Sequence, residues 1–245
     1  MKRTILCSAL ALSLALTLSA QAATISVNFV GNNGAAGTLA SADVAGFVPT
    51  INWNNATGSA GALGALQDNT GAATSASMSF AGNGIYTVNG GGPTSTSGGD
   101  EIMMSGFVYG TTTVSVTGIP YSGYNLLVYY LNDADRGDQT IALSGGPTYH
   151  ANLLHGVQTG YVDNNSGTPM TYTLTTGTTS GTANNSDYVA FNGLTGNFSF
   201  TIAAPGNGAL MGFEIVSLPE PSSIVLAGLA AIGLAGYAVR RRRTA

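Results

Sequence analysis

Asn125-Leu126-Leu127-Val128-Tyr129-Tyr130-Leu131 is the most continuously apolar run in the body of this 245-residue chain. Among short alternating segments, such a run reads as a central strand, covered on both of its faces. Working outward from it, further runs rich in Thr, Val, Ile, Tyr and Phe are separated by Gly, Asn, Asp and Ser clusters. Candidate strands before it are Thr24 to Val30, Thr74 to Phe80, Ile85 to Val88 and Thr111 to Thr117. After it come Gln139 to Leu143, Thr148 to Asn152, Met170 to Thr175, Tyr188 to Phe191, Phe198 to Ile202 and Leu210 to Val216. No segment has a convincing amphipathic helical period, and only Asp100 to Phe107 has room for a helical turn. The pattern predicts an all-β fold, a sandwich of two packed antiparallel sheets in the manner of a jelly roll. Gly31 to Gly46 and Asn54 to Gly71 are expected to be surface loops, where such scaffolds carry their binding function.

Composition narrows the function classes. Charged residues make up 7% of the chain, against about 25% in an ordinary soluble protein. Between Ala23 and Ser217 the sole basic residue is Arg136, set against ten acidic ones. A nucleic-acid partner is excluded, because neutralising phosphates takes clustered Lys or Arg. The one cysteine, Cys7, precedes the body, which therefore has neither a disulfide nor thiolates for zinc, haem or an iron–sulfur cluster.

The two ends read as delivery segments. Residues 1–22 join Lys2 and Arg3 to an apolar stretch and a small-residue site at Ala20-Gln21-Ala22, the three parts of a signal peptide with its helical core. Residues 23–217 are the sandwich body, and 218–245 form a tail. In the tail, Ser222 to Val239 is uncharged and mostly apolar over 18 residues, close to the minimum for a single transmembrane helix. Arg240, Arg241, Arg242 and Arg243 follow at once, a basic cluster that holds the helix end on the cytoplasmic side. Before the helix, Pro219 and Pro221 flank Glu220 and keep the backbone extended where a membrane enzyme could grip it.

Pro219-Glu220-Pro221, a hydrophobic helix and a terminal Arg cluster, in that order, resemble the PEP-CTERM sorting signal. The resemblance implies export by a Gram-negative bacterium that makes extracellular polysaccharide, and a transient stay in the inner membrane. It also implies processing by an exosortase-like membrane enzyme, and delivery to the cell surface or matrix. Less specifically, the body is similar to galactose-binding-type jelly rolls. That likeness runs through Ser26 to Gly31, Asp43 to Gly46, Asn52 to Asn55, Tyr124 to Leu131 and Gly212 to Val216. It carries no catalytic residues across.

Candidate sites have competing readings. Trp53 beside Asn52, Asn54 and Asn55 could stack and grip a sugar ring, or plug one end of the sandwich. Asp133, Asp135 and Asp138 crowd one loop, where calcium would relieve their repulsion; an acidic hairpin partly offset by Arg136 is the alternative. His150 and His155, five apart, do not aim at one metal. Asp100-Glu101 is the one adjacent carboxylate pair, but neighbours on a strand point to opposite faces, and glycoside hydrolysis needs carboxyls roughly 5 to 9 Å apart. No nucleophile elbow, phosphate loop or zinc-protease helix is present.

These features point to an exported, non-catalytic surface or matrix protein that binds polysaccharide, with no certain cofactor beyond the calcium considered. Two rivals stand beside it. One is a polysaccharide hydrolase whose distant acids, such as Asp100, Glu101 or Asp163, converge; the other is a self-associating structural module bridged by calcium. Deleting Ser222 to Ala245 should leave a soluble secreted body. Fractionation that finds the truncated chain still embedded in the inner membrane would overturn this organisation.

Overall fold

Residues 22–32, 37–87, 98–131, 139–153, 171–204 and 208–219 are described by the computed structural model, together with positions 228, 230, 231, 233 and 234. In the segment Thr-Thr-Val-Ser-Val-Thr the two valines and Thr112 point inward while Thr113, Ser115 and Thr117 point outward, and it forms a strand at Thr112–Thr117. In chain order the strands are β1 (Thr24–Phe29), β2 (Asn54–Ala56), β3 (Ala60–Leu63), β4 (Ser77–Ala81), β5 (Gly84–Thr87), β6 (Gly106–Tyr109) and β7 (Thr112–Thr117). Then follow β8 (Tyr124–Leu131), β9 (Gln139–Leu143), β10 (Thr148–Leu153), β11 (Asn184–Ser186), β12 (Tyr188–Leu194), β13 (Phe198–Ala203) and β14 (Ala209–Ser217). One short helix, α1 (Gly99–Met103), precedes β6.

The strands form two seven-stranded sheets. The first runs β12-β8-β14-β1-β2, with β6 pairing the start of β14 and β5 pairing β6; the second runs β11-β10-β9-β13-β7-β4-β3. The expectation of a two-sheet sandwich holds, but not that of purely antiparallel sheets: β1–β2 and β10–β11 are parallel. Parallel neighbours need a long crossover, and both pairs have one, residues 30–53 between β1 and β2 and residues 154–183 between β10 and β11.

Other boundaries are corrected too. Asn54 to Gly71 is not a surface loop, since it contains β2 and β3 and buries Leu66. The helical turn expected within Asp100 to Phe107 does form, as α1, which begins one residue earlier at Gly99, and the end of that segment enters β6. The described part of Met170 to Thr175 forms a single bridge, Leu174 to Tyr188, instead of a strand. The two terminal helices expected from residues 1–22 and 222–239 lie almost wholly outside the described residues. Among the described residues, no helix is long and apolar enough to cross a membrane.

The main core lies between the sheets. Phe213 of β14 meets Phe29, Phe198 and Phe200 with ring centroids 6.0 to 6.4 Å apart, and Phe29 stands edge-on to Phe80 of β4 at 5.1 Å. A second apolar cluster covers the opposite face of the first sheet: Leu127, Tyr129 and Leu131 of β8 and Met211 of β14 pack under Leu39, Ala45, Trp53, Met103 and Met104. The first sheet is thus roofed by the segment 37–53 and α1. This double covering is why Tyr124–Leu131 lacks the polar alternation of the second sheet. A bulge between Leu210 and Gly212 in β14 adjusts the register against β8.

Backbone comes close to backbone where β6 passes the end of β1. A Cβ at Gly106 would lie 2.3 Å from the Gly31 nitrogen and 2.7 Å from the Phe29 carbonyl oxygen, whereas at Gly64 it would meet nothing within 4 Å. Gly106→Ala should therefore destabilise the fold by about 1–3 kcal/mol, and Gly64→Ala should stay within about 0.5 kcal/mol of the parent. Denaturant melts of the two variants compare them directly; equal midpoints would show that β6 is not held against β1.

Candidate functional site

A polar cluster lies under the roof of the first sheet. Glu214 stands in the middle of β14, opposite Leu127 of β8 on one side and Ser26 of β1 on the other. Alternation with Phe213 and Ile215, which face the main core, turns its carboxyl to the roofed face, where it is 0% exposed. Tyr129 pairs with Gly212, diagonal to Glu214, so its hydroxyl reaches and donates to Glu214 Oε2. Tyr172 comes from the segment before β11, and its hydroxyl donates to Asp100 Oδ1 of α1 at 2.6 Å. The Tyr129 and Tyr172 rings lie 5.3 Å apart.

These groups hold down one loop. A two-way bridge between Ala45 and Thr50 closes it. Gly46, at φ 96°, adopts the left-handed conformation that a side chain resists. Three successive N–H groups are then bound from below: Gly46 donates to Asp100 Oδ1 at 2.8 Å, Phe47 to the Tyr129 hydroxyl at 2.7 Å, and Val48 to Glu214 Oε2 at 3.4 Å. A Cβ at Gly46 would come within 2.6 Å of Glu214 Oε1, so loop backbone fills the space in front of that oxygen. Oε1 is buried without a hydrogen-bond partner. The Phe47 ring, 49% exposed, stacks on Tyr188 at 4.8 Å.

Burial, first of all, pushes the Glu214 carboxyl up to about 8; the bonds from Tyr129 and Val48 pull the other way, and nearby Asp100 adds to the rise. Burial likewise raises the Tyr129 hydroxyl, reinforced by Glu214 and Tyr172, and the Tyr172 hydroxyl, reinforced by Asp100. At neutral pH Glu214 therefore keeps its proton. In this arrangement the cluster can clamp the loop; a substrate oxygen could reach Glu214 only if the loop lifted.

Of the residues considered for ligand contact, Trp53 and its three asparagines make bonds within the body. Trp53 is 5% exposed, roofs the first sheet near Tyr129, and donates its indole N–H to the Thr50 carbonyl at 3.1 Å. Asn52 donates to the Asn69 carbonyl, and Asn54 bridges the Ser26 and Gln67 backbones. Asn55 exchanges bonds with the Leu39 backbone and accepts from Asn28. Their amides thus pin β2 and the roof to β1. Asp133, Asp135, Asp138, His155 and Asp163 lie outside the described residues, as do Glu220, Pro221 and Arg240 to Arg243. Pro219 lies just past β14. Among the described residues, no group of three or more His, Cys, Asp or Glu could hold a metal ion.

Asp100 does converge with a distant acid, which is Glu214 and not the adjacent Glu101. Sequence reading passed over Glu214, Tyr129 and Tyr172. The available signal was a carboxylate inside the otherwise apolar run Gly212-Phe213-Glu214-Ile215-Val216, since a buried charge is the informative exception in a strand.

The described residues define a charge-poor β-sandwich whose most buried carboxyl, Glu214, is closed off from solvent. Residues 217–243 match the family model described as the PEP-CTERM protein-sorting motif. The tail thus carries the sorting motif that marks exported proteins of Gram-negative bacteria for processing by an exosortase. The match stops at the tail and does not reach the sandwich. No curated protein and no solved structure matches the chain, so the likeness to galactose-binding domains rests on sequence pattern alone.

The clamp sets a pH dependence. Below about pH 4.5 Glu214 is protonated whether folded or unfolded, and its contribution to stability is complete. Between there and about 8 the unfolded chain ionises while the folded one does not, so stability falls as pH rises, by a few kcal/mol at most. Glu214→Gln should flatten the slope of Tm against pH over that range. An unchanged slope would mean that Glu214 is not the group responsible.

Proposed function

We propose that the sandwich is a non-catalytic binding body, carried by its sorting tail to the cell surface or extracellular matrix, where it contacts polysaccharide. The observation that carries this reading is the closure of Glu214: the raised carboxyl that could act as an acid lies behind the Gly46 backbone, 0% exposed. The body's low charge supports an uncharged partner, because Coulomb attraction to a charged polymer needs clustered opposite charge.

The hydrolase reading keeps one favouring observation: Glu214, its carboxyl raised to about 8 by burial, holds the same loop as Asp100, and glycoside cleavage uses two carboxyl groups. The two are separated by incubating the full chain, in mild detergent, with cellulose, chitin and alginate. Retention on a neutral polymer without release of reducing ends is the expected result. Reducing ends that disappear in Glu214→Gln would replace the binding reading with the hydrolase. In the cell, replacing Pro219, Glu220 and Pro221 by alanine should leave the chain in the inner membrane instead of outside; normal release would sever the sorting motif from delivery.

A further inference from the structure

The two sheets differ in what they leave bare. On the second sheet, outward positions of adjacent strands line up in rows. Register places Ala81, Thr113, Thr201 and Ala142 side by side across β4, β7, β13 and β9. The next row is Ser79, Ser115 and Ser199, and beyond it stand Ser77 and Thr117. No side chain in these rows is charged or larger than threonine. Their inward neighbours Val114, Val116 and Phe200 are buried, whereas Ser79, Ala81, Thr113 and Thr117 are exposed.

The hydroxyls are held in place. Ser77 and Thr117 bond at 3.1 Å, Thr113 and Thr201 at 3.1 Å, and Ser115 donates to Ser199 at 3.2 Å. Each oxygen has two lone pairs and one proton, so these bonds leave hydrogen-bonding capacity pointing outward. Strand spacing sets a lattice of about 4.8 Å across and about 6.8 Å along the sheet, with hydroxyls in every row and methyls at its alanines and threonines. Little rotamer freedom remains to be lost on contact, which removes one of the usual costs of binding.

From this face we infer that the outward side of β4, β7, β13 and β9 is where a neutral polysaccharide chain lies flat on the protein. The inference rests on the polysaccharide reading above and adds the surface. Absence of charge rules against acidic polymers and basic peptides, which need an opposing ion. A second copy of the chain fits poorly. The rows cover roughly 15 Å by 15 Å by strand geometry, well short of the about 800 Å² per partner in a stable interface. They also hold no aromatic or Arg anchor. A neutral glycan presents ring hydroxyls and C–H groups to such a surface, and a polymer sums many weak contacts along its length.

The test uses the full chain in mild detergent on cellulose and chitin particles, with alginate as the charged comparison. The variants are Ser115→Lys and Thr201→Lys, each placing a long charged side chain in the rows, with Val44→Lys on the opposite layer as control. Wild type should be retained on a neutral polymer, with little change up to ~1 M salt. Each row variant should bind about tenfold more weakly at an unchanged melting temperature, and Val44→Lys should bind as wild type does. The milder pair Ser115→Val and Thr201→Val, which keeps the strands, should also weaken binding if the hydroxyls act. Equal retention of all variants would overturn the surface while leaving polysaccharide binding standing. No retention of wild type on any neutral polymer would overturn the polysaccharide reading itself. Sedimentation showing a wild-type dimer lost in the row variants would reassign the face to self-association.

Discussion

Strands β8 and β14 pack apolar side chains on both of their faces, and much of the molecule is arranged to meet that demand. One face joins the aromatic core around Phe213. The other would leave Leu127, Tyr129 and Met211 in water, so the chain crosses back over it with the segment 37–53 and α1. That crossing makes the β1–β2 pair parallel, buries Trp53 and seals Glu214. An irregular segment laid on a sheet must satisfy its own backbone. Asp100, Tyr129 and Glu214 do so for three consecutive N–H groups at the tip of the loop.

The second sheet shows the opposite economy. It has one buried face, and the other carries small hydroxylated residues bonded to one another across the strands. In a body with so few charges, solubility rests on hydroxyls and amides. The chemistry that this face offers is hydrogen bonding.

Much of the fold was legible because it depends on local periodicity. The run at residues 139–143 and the alternation at 111–117 became strands almost residue for residue, as did the apolar run at 125–131. The failures came where pairing was decided at a distance. β2 and β3 consist of Asn, Ala, Gly and one Leu, residues with weak strand preference, and they are strands because β1 and β4 lie beside them. Met170 to Thr175 has the composition of a strand, yet its described end makes a single bridge to Tyr188. Trp53 and its asparagines were noticed for the right chemistry, stacking and amide hydrogen bonding, but the partners are the Thr50, Ser26, Leu39 and Gln67 backbones.

By itself the sequence determined that the body is β-built, poor in charge and marked by a sorting tail. Those properties live in short-range periodicity, composition and contiguous motifs. The tertiary structure alone decided that Glu214 meets Asp100 and Tyr129, that the loop at Gly46 closes over them, and which strand face stays bare. Residues 46, 100, 129, 172 and 214 are far apart along the chain, and no local pattern encodes their meeting. It follows from how the long crossover folds back to cover a sheet with two apolar faces.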